Sequence, residues 1–497
     1  MLMLAAALLL PAASAPLFAQ SEDADENAAD AAEEAVQEVD PNDPYALMQV
    51  FVDTFEEIDR SYVKDVNRRD LVEAAIRGML SELDPYSDYI SPDDLDHFNE
   101  AITQEFGGVG IRVEFDSEAR AIRVMSPLPG SPAYEAGIHS GDLILEIAGH
   151  PVRDFPAKQE LNRAVELLRG KPGEKVEVGV RHVNSEEIEK ITITRDLIQL
   201  DTVLGYSYND DGTWDLMLDP DKKIGYLRLT HFTRRSPAEV REALRELKRQ
   251  GMKGLILDLR TNPGGLLEAA VEIADLFLDK GLIVRTDGRN SIPRSWSAKS
   301  FGTFTGFPMA VIINNYSASA SEILSAALQD HDRAVVVGQR SFGKGSVQDV
   351  IKLEDGKSVL KLTTASYHRP SGKNIHRFPN AKEDEEWGVS PNEEFEVVFN
   401  FEKFRKYQED RRRRDSMTPS AVKSNKEEEG SEELEVFVDD QLERAREYIE
   451  QQLSRPATAS EEKATDEADE EETEEANEGK KAASLPPLYP IPQDRAA

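Results

Sequence analysis

The sequence predicts a multidomain α/β protein, and three observations carry that reading. The chain has 497 residues, room for about two to four domains. Between Phe106 and Thr194, short alternating segments broken by Gly and Pro describe a small β-rich module. From Lys222 onward, apolar strands and amphipathic helices alternate, the rhythm of a largely parallel sheet covered by helices. The predicted order is a leader over 1–19, an acidic disordered linker over 20–44, a helical region over 45–103 and the β-rich module over 104–196. An α/β core over 197–400, a helical region over 401–455 and a disordered acidic, Pro-rich tail over 456–497 follow.

Charge separates the folded part from the rest. The net charge is −36, yet Ser21–Pro44 holds ten acidic and no basic residues, and Ala457–Lys481 holds eleven acidic and three basic. These two segments carry half of the total and read as solvated, self-repelling chain. What remains is only mildly acidic, which argues against a nucleic-acid partner. Cysteine is absent, so disulfides, lipoprotein anchoring and thiolate chemistry are excluded. Met1–Ala19 is apolar and ends in small residues, the pattern of a signal peptide cleaved before Gln20. It lacks a basic start, which leaves an uncleaved anchor open. No later stretch reaches 18 consecutive apolar residues, so the mature chain is expected to be soluble.

Each element has its own signal. Leu47, Val50, Phe51, Phe55, Ile58 and Tyr62 fall on one helical stripe. A second helix is expected to be capped by Asp70, with Glu73 three residues on, and to stop at Asp84-Pro85. In the β-rich module, Ile111–Phe115, Ala121–Met125, Leu143–Ile147, Lys175–Arg181 and Glu189–Thr194 read as strands, with a helix at Lys158–Leu168. The core reads as "IGYLRLTHF", the helix "SPAEVREALRELKRQG", "GLILDLR", the helix "LLEAAVEIADLFL", "MAVIIN", a helix after Ser319, and "AVVVG". A hairpin about Asp355-Gly356 and a late helix in "DDQLERAREYIEQQL" complete it.

Three motifs carry chemistry. In "NNYSASASEI", Ser319 stands at a strand-to-helix turn. Ser319 and Glu322 form a capping-box pattern, so the serine either merely starts a helix or serves as a nucleophile beside helix N-terminal amides. Catalysis needs a base. None of the eight histidines sits in a serine-associated signature, and His331 in "DHDR" reads as a turn residue. Lys344 in "RSFGKGSVQ" lies between two glycines, and burial would make its amine a base. Gln348, four residues on, shares its face in an extended chain and would orient the amine. Gly338-x-x-x-x-Gly343-Lys344 imitates a phosphate-binding loop, but Gly345 replaces the magnesium-binding hydroxyl and a hairpin follows instead of a helix. Asn262-Pro263-Gly264-Gly265 opens a helix and offers amides for an oxyanion hole.

Together with "GMLSELDPYSDYI", "YHRPSGKNI" and "WGVSPN", these motifs resemble the carboxy-terminal processing (tail-specific) proteases, from roughly Tyr45 to Leu453. The resemblance implies a crotonase-like protease core with Ser319 as nucleophile and Lys344, 25 residues later, as general base. It also implies Gln348 as the residue that positions the lysine, the amides of Gly265 and Ala320 as the oxyanion hole, and a supporting position at Glu322. "FGGVGI" with "VMSPLPGSPAYEAGIHSGDLILEIAG" looks like a PDZ domain, whose loop Gly107-Gly108-Val109-Gly110 would hold a terminal carboxylate while the next strand pairs with a peptide. The expected protein is an exported endopeptidase, periplasmic or secreted, acting on proteins or peptides with exposed C-termini. No metal or cofactor is implied; an adaptor or regulatory protein and the oligomeric state stay open. The rivals are a non-catalytic PDZ adaptor with a degenerate protease core, which reactive-probe labelling of Ser319 separates, and a nucleotide-binding protein, which nucleotide-dependent thermal stabilisation separates.

Overall fold

The computed structural model describes residues 40, 43–209, 212–382, 385–415 and 437–455. The leader, nearly all of the acidic linker and the acidic tail lie outside these residues. The chain divides into two units, 1–75 and 76–497.

The first unit holds α1 (Pro44–Ser61) and the start of α2 (Arg68–Ser81). The Asp43 carboxylate caps α1 through the Ala46 amide, and Arg68 closes the inter-helix turn with a two-pronged pair to Asp59. The apolar stripe of α1 is present but buries no residue; Leu47, Val50, Phe51, Ile58 and Tyr62 are exposed. α2 begins two residues before the expected cap. Asn67 takes the Arg69 amide, so Asp70 lies in the first turn, where its charge favours the helix N-terminus.

The second unit opens with β1 (Asp88–Ile90) and α3 (Leu95–Thr103). The β-rich module then comprises β2 (Glu105–Gly108), β3 (Ile111–Asp116), β4 (Ala121–Pro127), the short α4 (Pro132–Glu135), β5 (Leu143–Ile147), β6 (His150–Pro151) and α5 (Glu160–Leu168). It closes with β7 (Lys175–Arg181), β8 (Glu189–Thr194) and β9 (Asp196–Gln199). Its main sheet runs β3-β4-β5-β7-β8, all antiparallel, with β6 on β5, and β2 pairs with β9 beside it. Alternate residues Ile122, Val124, Val178 and Val180 meet Ile144, Ile147 and Ala164 in a separate core. β3 is an edge strand of this sheet.

The α/β core contains β10 (Val203–Leu204), the small pair β11 (Ser207–Tyr208) and β12 (Trp214–Asp215), β13 (Met217–Asp219), β14 (Ile224–Leu229), α6 (Ser236–Arg249), β15 (Gly254–Asp258) and α7 (Leu267–Asp275). β16 (Gly281–Gly288), β17 (Ser291–Ala298), β18 (Met309–Ile313), α8 (Ala320–Asp330), β19 (Val335–Gly338), β20 (Ser346–Leu353) and β21 (Ser358–His368) follow. The last helices are α9 (Phe401–Arg414) and α10 (Asp440–Leu453).

β14, β15, β18 and β19 are parallel neighbours in that order. They read as nearly unbroken apolar runs because both faces are covered. Leu227, Leu257, Val311 and Val336 face a core shared with α6, α7 and α8; Tyr226, Ile256, Ile312 and Val337 face Leu442, Ala445 and Ile449 of α10. A buried ion network also anchors this helix: Arg260 pairs with Asp258 and with Asp439 just before α10. A second sheet, β1-β21-β16-β17 with β20 on β21, lies beside the first. The hairpin β16–β17 in this sheet was not among the expected strands.

The parallel strands decide where the motifs meet. The segments carrying Asn262–Gly265, Ser317–Ser321 and Ser341–Gly345 follow the carboxyl ends of β15, β18 and β19, three adjacent strands. Motifs far apart in sequence therefore converge in the crevice where such sheets place their sites.

Candidate active site

Ser319 occupies the N-cap of α8 with φ 56° and ψ −113°. A serine in that region costs on the order of 1–3 kcal/mol, strain of the kind that gathers at active sites. Its neighbours are structural. The Ser317 hydroxyl takes the Asn314 amide and donates to the Leu259 carbonyl, and Ser321 donates to the Asn262 carbonyl. Burial pushes the nearby Tyr367 phenol up to about 12, opposed by the Ser319 side chain.

The Asn262–Gly265 segment is stitched to the Ser317–Ser321 loop. The Asn262 carbonyl accepts the Ala318 amide at 3.1 Å, and the Asn262 side chain takes the Gly264 amide and donates to the Leu229 carbonyl. Gly264 has φ +101°, and a Cβ there would stand 2.8 Å from the Ser319 Cβ and 2.9 Å from the Ala320 nitrogen. Glycine is thus required for the loop to lie against the serine. Bonds from Phe232 to the Gly264 carbonyl and from Leu266 to the Phe232 carbonyl bracket Gly265 and leave its own amide outside the pairing. Ala320 supplies the first amide of α8.

Lys344 lies between β19 and β20, and its Nζ donates to Gln348 Oε1 at 2.7 Å. Gln348 is itself anchored, its Nε2 donating to Ser346 Oγ at 2.8 Å and to Thr363 Oγ1 at 3.1 Å. Burial lowers the Lys344 pKa to about 8, helped by Lys361 and opposed by Glu322 and Asp84.

Glu322 joins the two halves. It is fully buried, and one carboxylate oxygen takes the Ser319 amide at 2.7 Å and the Lys344 amide at 2.9 Å. The other takes the Ser341 hydroxyl at 2.5 Å and the Gly343 amide at 2.6 Å. Burial raises its pKa to about 7 despite these four donors. The capping pattern of Ser319 and Glu322 is therefore real, and the same side chain also fixes the lysine loop. Sequence reasoning missed Ser341, Thr363, Tyr367 and Tyr86; the signal for Ser341, Tyr367 and Tyr86 was membership of the quoted strings, and for Thr363 only its place in the hairpin about Asp355-Gly356.

In the β-rich module, Gly107 and Gly108 are paired with β9 as part of β2, so the loop proper narrows to Val109-Gly110. The Val109 carbonyl accepts the Ala133 amide, and the Gly110 carbonyl accepts the Leu128 amide and the Ser131 hydroxyl. Nearby, His139, Asp142 and His182 come close enough to share an ion. Asp142 is already engaged by the amides of His139 and Val183 and by His182 Nδ1, which pins the β4–β5 and β7–β8 turns together.

Comparison with known proteins agrees with this arrangement. The profile of Peptidase family S41 matches residues 223–394, that of the PDZ domain matches 123–182, and that of the activating protease CtpB N-terminal domain matches 8–93. The carboxy-terminal-processing protease of Bartonella bacilliformis is 39% identical over 337 residues, covering 67% of this chain and 73% of its own length. The carboxyl-terminal-processing protease of Synechocystis is 36% identical over 334 residues, with the same two coverages of 67% and 73%. The carboxy-terminal processing protease CtpA of Bacillus subtilis is 36% identical over 325 residues, 65% of each chain. The chain belongs to the carboxy-terminal processing proteases of peptidase family S41, serine peptidases that carry a PDZ domain.

Proposed function

We propose that this protease cleaves polypeptides with Ser319 as nucleophile and Lys344 as general base. The observation that carries the reading is the half-buried Lys344 amine, held 2.7 Å from Gln348 Oε1, on a loop whose backbone shares one Glu322 oxygen with the Ser319 backbone. The neutral amine takes the Ser319 proton as Oγ attacks the scissile carbonyl. The oxyanion forms against the amides of Gly265 and Ala320, with the α8 dipole behind them. The ammonium then protonates the departing amine, and water, deprotonated by the same lysine, releases the acyl group. Gln348 holds the amine in line, and Glu322 holds the two loops in register.

A cavity of about 890 Å³ lined by Tyr86, Tyr316, Phe342, Gly343, Arg377 and Trp387 adjoins the lysine loop and suits an extended chain. The edge strand β3, with α5 packed beside it, is where a C-terminal segment adds to the PDZ sheet, its carboxylate on the Val109-Gly110 loop. The proposed division is a helical region over 45–103, PDZ domain over 104–196, protease core over 197–400 and C-terminal helices over 401–455. Export by the Met1–Ala19 leader, to the periplasm or beyond, belongs to the same reading; among the described residues no helix is long and apolar enough to cross a membrane. Nothing favours the adaptor or nucleotide-binding alternatives.

The test is digestion of an unfolded protein by wild type, Ser319→Ala and Ser317→Ala, with products read by mass spectrometry. Ser319→Ala should be folded and inactive, and Ser317→Ala active in its folded fraction. The reverse pattern overturns the assignment.

A further inference from the structure

The segment Asp84–Ile90, which enters β1, gives Tyr86 to the cavity wall and also lies against the base. The Tyr86 ring presents its face to the Lys344 ammonium, 5.4 Å from Nζ to centroid, within the range of cation–π attraction. Gln348, which orients that amine, is held by the Thr363 hydroxyl. The Thr363 amide donates to Ser87 Oγ at 3.1 Å, and Ser87 Oγ donates to Asp84 at 2.8 Å. Asp84 also takes the amides of Tyr86 at 2.7 Å and Ser87 at 2.9 Å. One carboxylate thus fixes both the turn that aims Tyr86 and the threonine that aims Gln348.

We propose that this strap is a positioning element for the base: Asp84, through Ser87, Thr363 and Gln348, and Tyr86, through its ring face, hold the Lys344 amine where it takes the Ser319 proton. The proposal rests on the Ser319/Lys344 reading above. It assigns a role to "LDPYSDYI" beyond the cavity wall.

The charges around the amine give the strap an electrical signature. Lys361 on β21 disfavours the ammonium, and Glu322 on α8 and Asp84 favour it. His376 packs edge-on to Tyr86 at 6.3 Å and also senses the lysine charge. Burial opposes the Asp84 carboxylate, but the Ser87 hydroxyl and the other donors outweigh it and hold its pKa below the ordinary value. Asp84 is therefore ionised wherever the protease works. Replacing it by Asn turns an NH2 toward donors and removes a charge that favours the ammonium.

The experiment measures kcat and KM against pH for the full chain and for Asp84→Asn, Tyr86→Leu, Tyr86→Phe, Thr363→Val and Lys344→Ala. Circular dichroism and thermal unfolding of the full chain serve as the fold control. Asp84→Asn should lose about tenfold in kcat or more at nearly constant KM, with its acid limb displaced to lower pH. Tyr86→Leu should lose about tenfold, and Tyr86→Phe, which keeps the ring face, should stay within about threefold of wild type. Thr363→Val cuts the relay while sparing the Asp84 turn, and should reproduce the kcat loss if Asp84→Asn does not fold. Wild-type kcat and an unmoved limb in folded Asp84→Asn and Tyr86→Leu overturn the proposal, as does a Tyr86→Phe variant as poor as Tyr86→Leu. An active Lys344→Ala overturns the dyad itself, whereas an inactive Lys344→Ala beside normal strap variants rejects the strap alone.

Discussion

Replacing Lys344 by arginine separates a base from a mere positive charge. At its ordinary pKa, 10.5, about one lysine amine in a thousand is neutral at pH 7.5. At the value of about 8 that burial imposes, about a quarter is neutral, a gain of roughly two hundredfold in available base. Arginine keeps the charge and stays protonated above pH 12. If Lys344 only steadied an anion, Lys344→Arg would retain much of the rate. As the base, it should lose about 10²–10⁴-fold in kcat/KM, as much as Lys344→Ala. The assay is the initial rate on a fluorogenic unfolded protein from pH 6 to 9.5. The wild-type rate should rise about tenfold per pH unit below a midpoint near 8 and level off above it. A folded, active Lys344→Arg refutes the reasoning. An acid limb below about 6.5 would hand the role to His376, which burial holds below its usual value.

Glu322 makes a stability prediction with a definite sign. Its folded pKa of about 7 lies above the ordinary 4.5, so the folded state binds the extra proton, and the contribution present below pH 4.5 is lost as pH rises through 7. The span corresponds to about 3 kcal/mol. The wild-type minus Glu322→Gln difference in unfolding free energy should fall by that order between pH 4.5 and 8, and a flat difference would falsify it. Glu322→Gln should also cut activity about tenfold or more, because a single amide oxygen cannot accept all four donors. Gly264→Ala should abolish cleavage while leaving PDZ peptide binding intact, since its Cβ meets the Ser319 Cβ and the Ala318 carbonyl at 2.8 Å; an active variant refutes the packing argument. Substrates ending in a free carboxylate after an apolar residue should be cleaved faster than their amidated forms, and equal rates would remove the Val109-Gly110 loop from recognition.

How much of this was legible in the sequence follows from how local each signal is. The strands Leu143–Ile147, Lys175–Arg181 and Glu189–Thr194 have the expected bounds, because period-two apolar patterning between turn residues is a local property. The hairpin β16–β17 escaped for the converse reason. Its strands are half exposed, Arg285, Asp287 and Arg294 interrupt the alternation, and Pro293 lies inside the second strand. Ser319, Lys344 and Gln348 were legible as types, since a turn serine, a lysine between glycines and an amide four residues on each carry a local signature. What no local window contains is the partner across the crevice. Glu322 reads as a helix cap because Ser319 is three residues away; its bonds to Ser341, Gly343 and Lys344 exist because β18 and β19 are parallel neighbours. Asp84 reads as a helix stop, while its link through Ser87 to the Thr363 amide spans most of the folded core. The parallel sheet turns three separate loops into one crevice, and β1 on β21 brings the strap to the same lysine. The chemistry of each residue is thus written in its own segment, and the coupling between residues is written only in strand order.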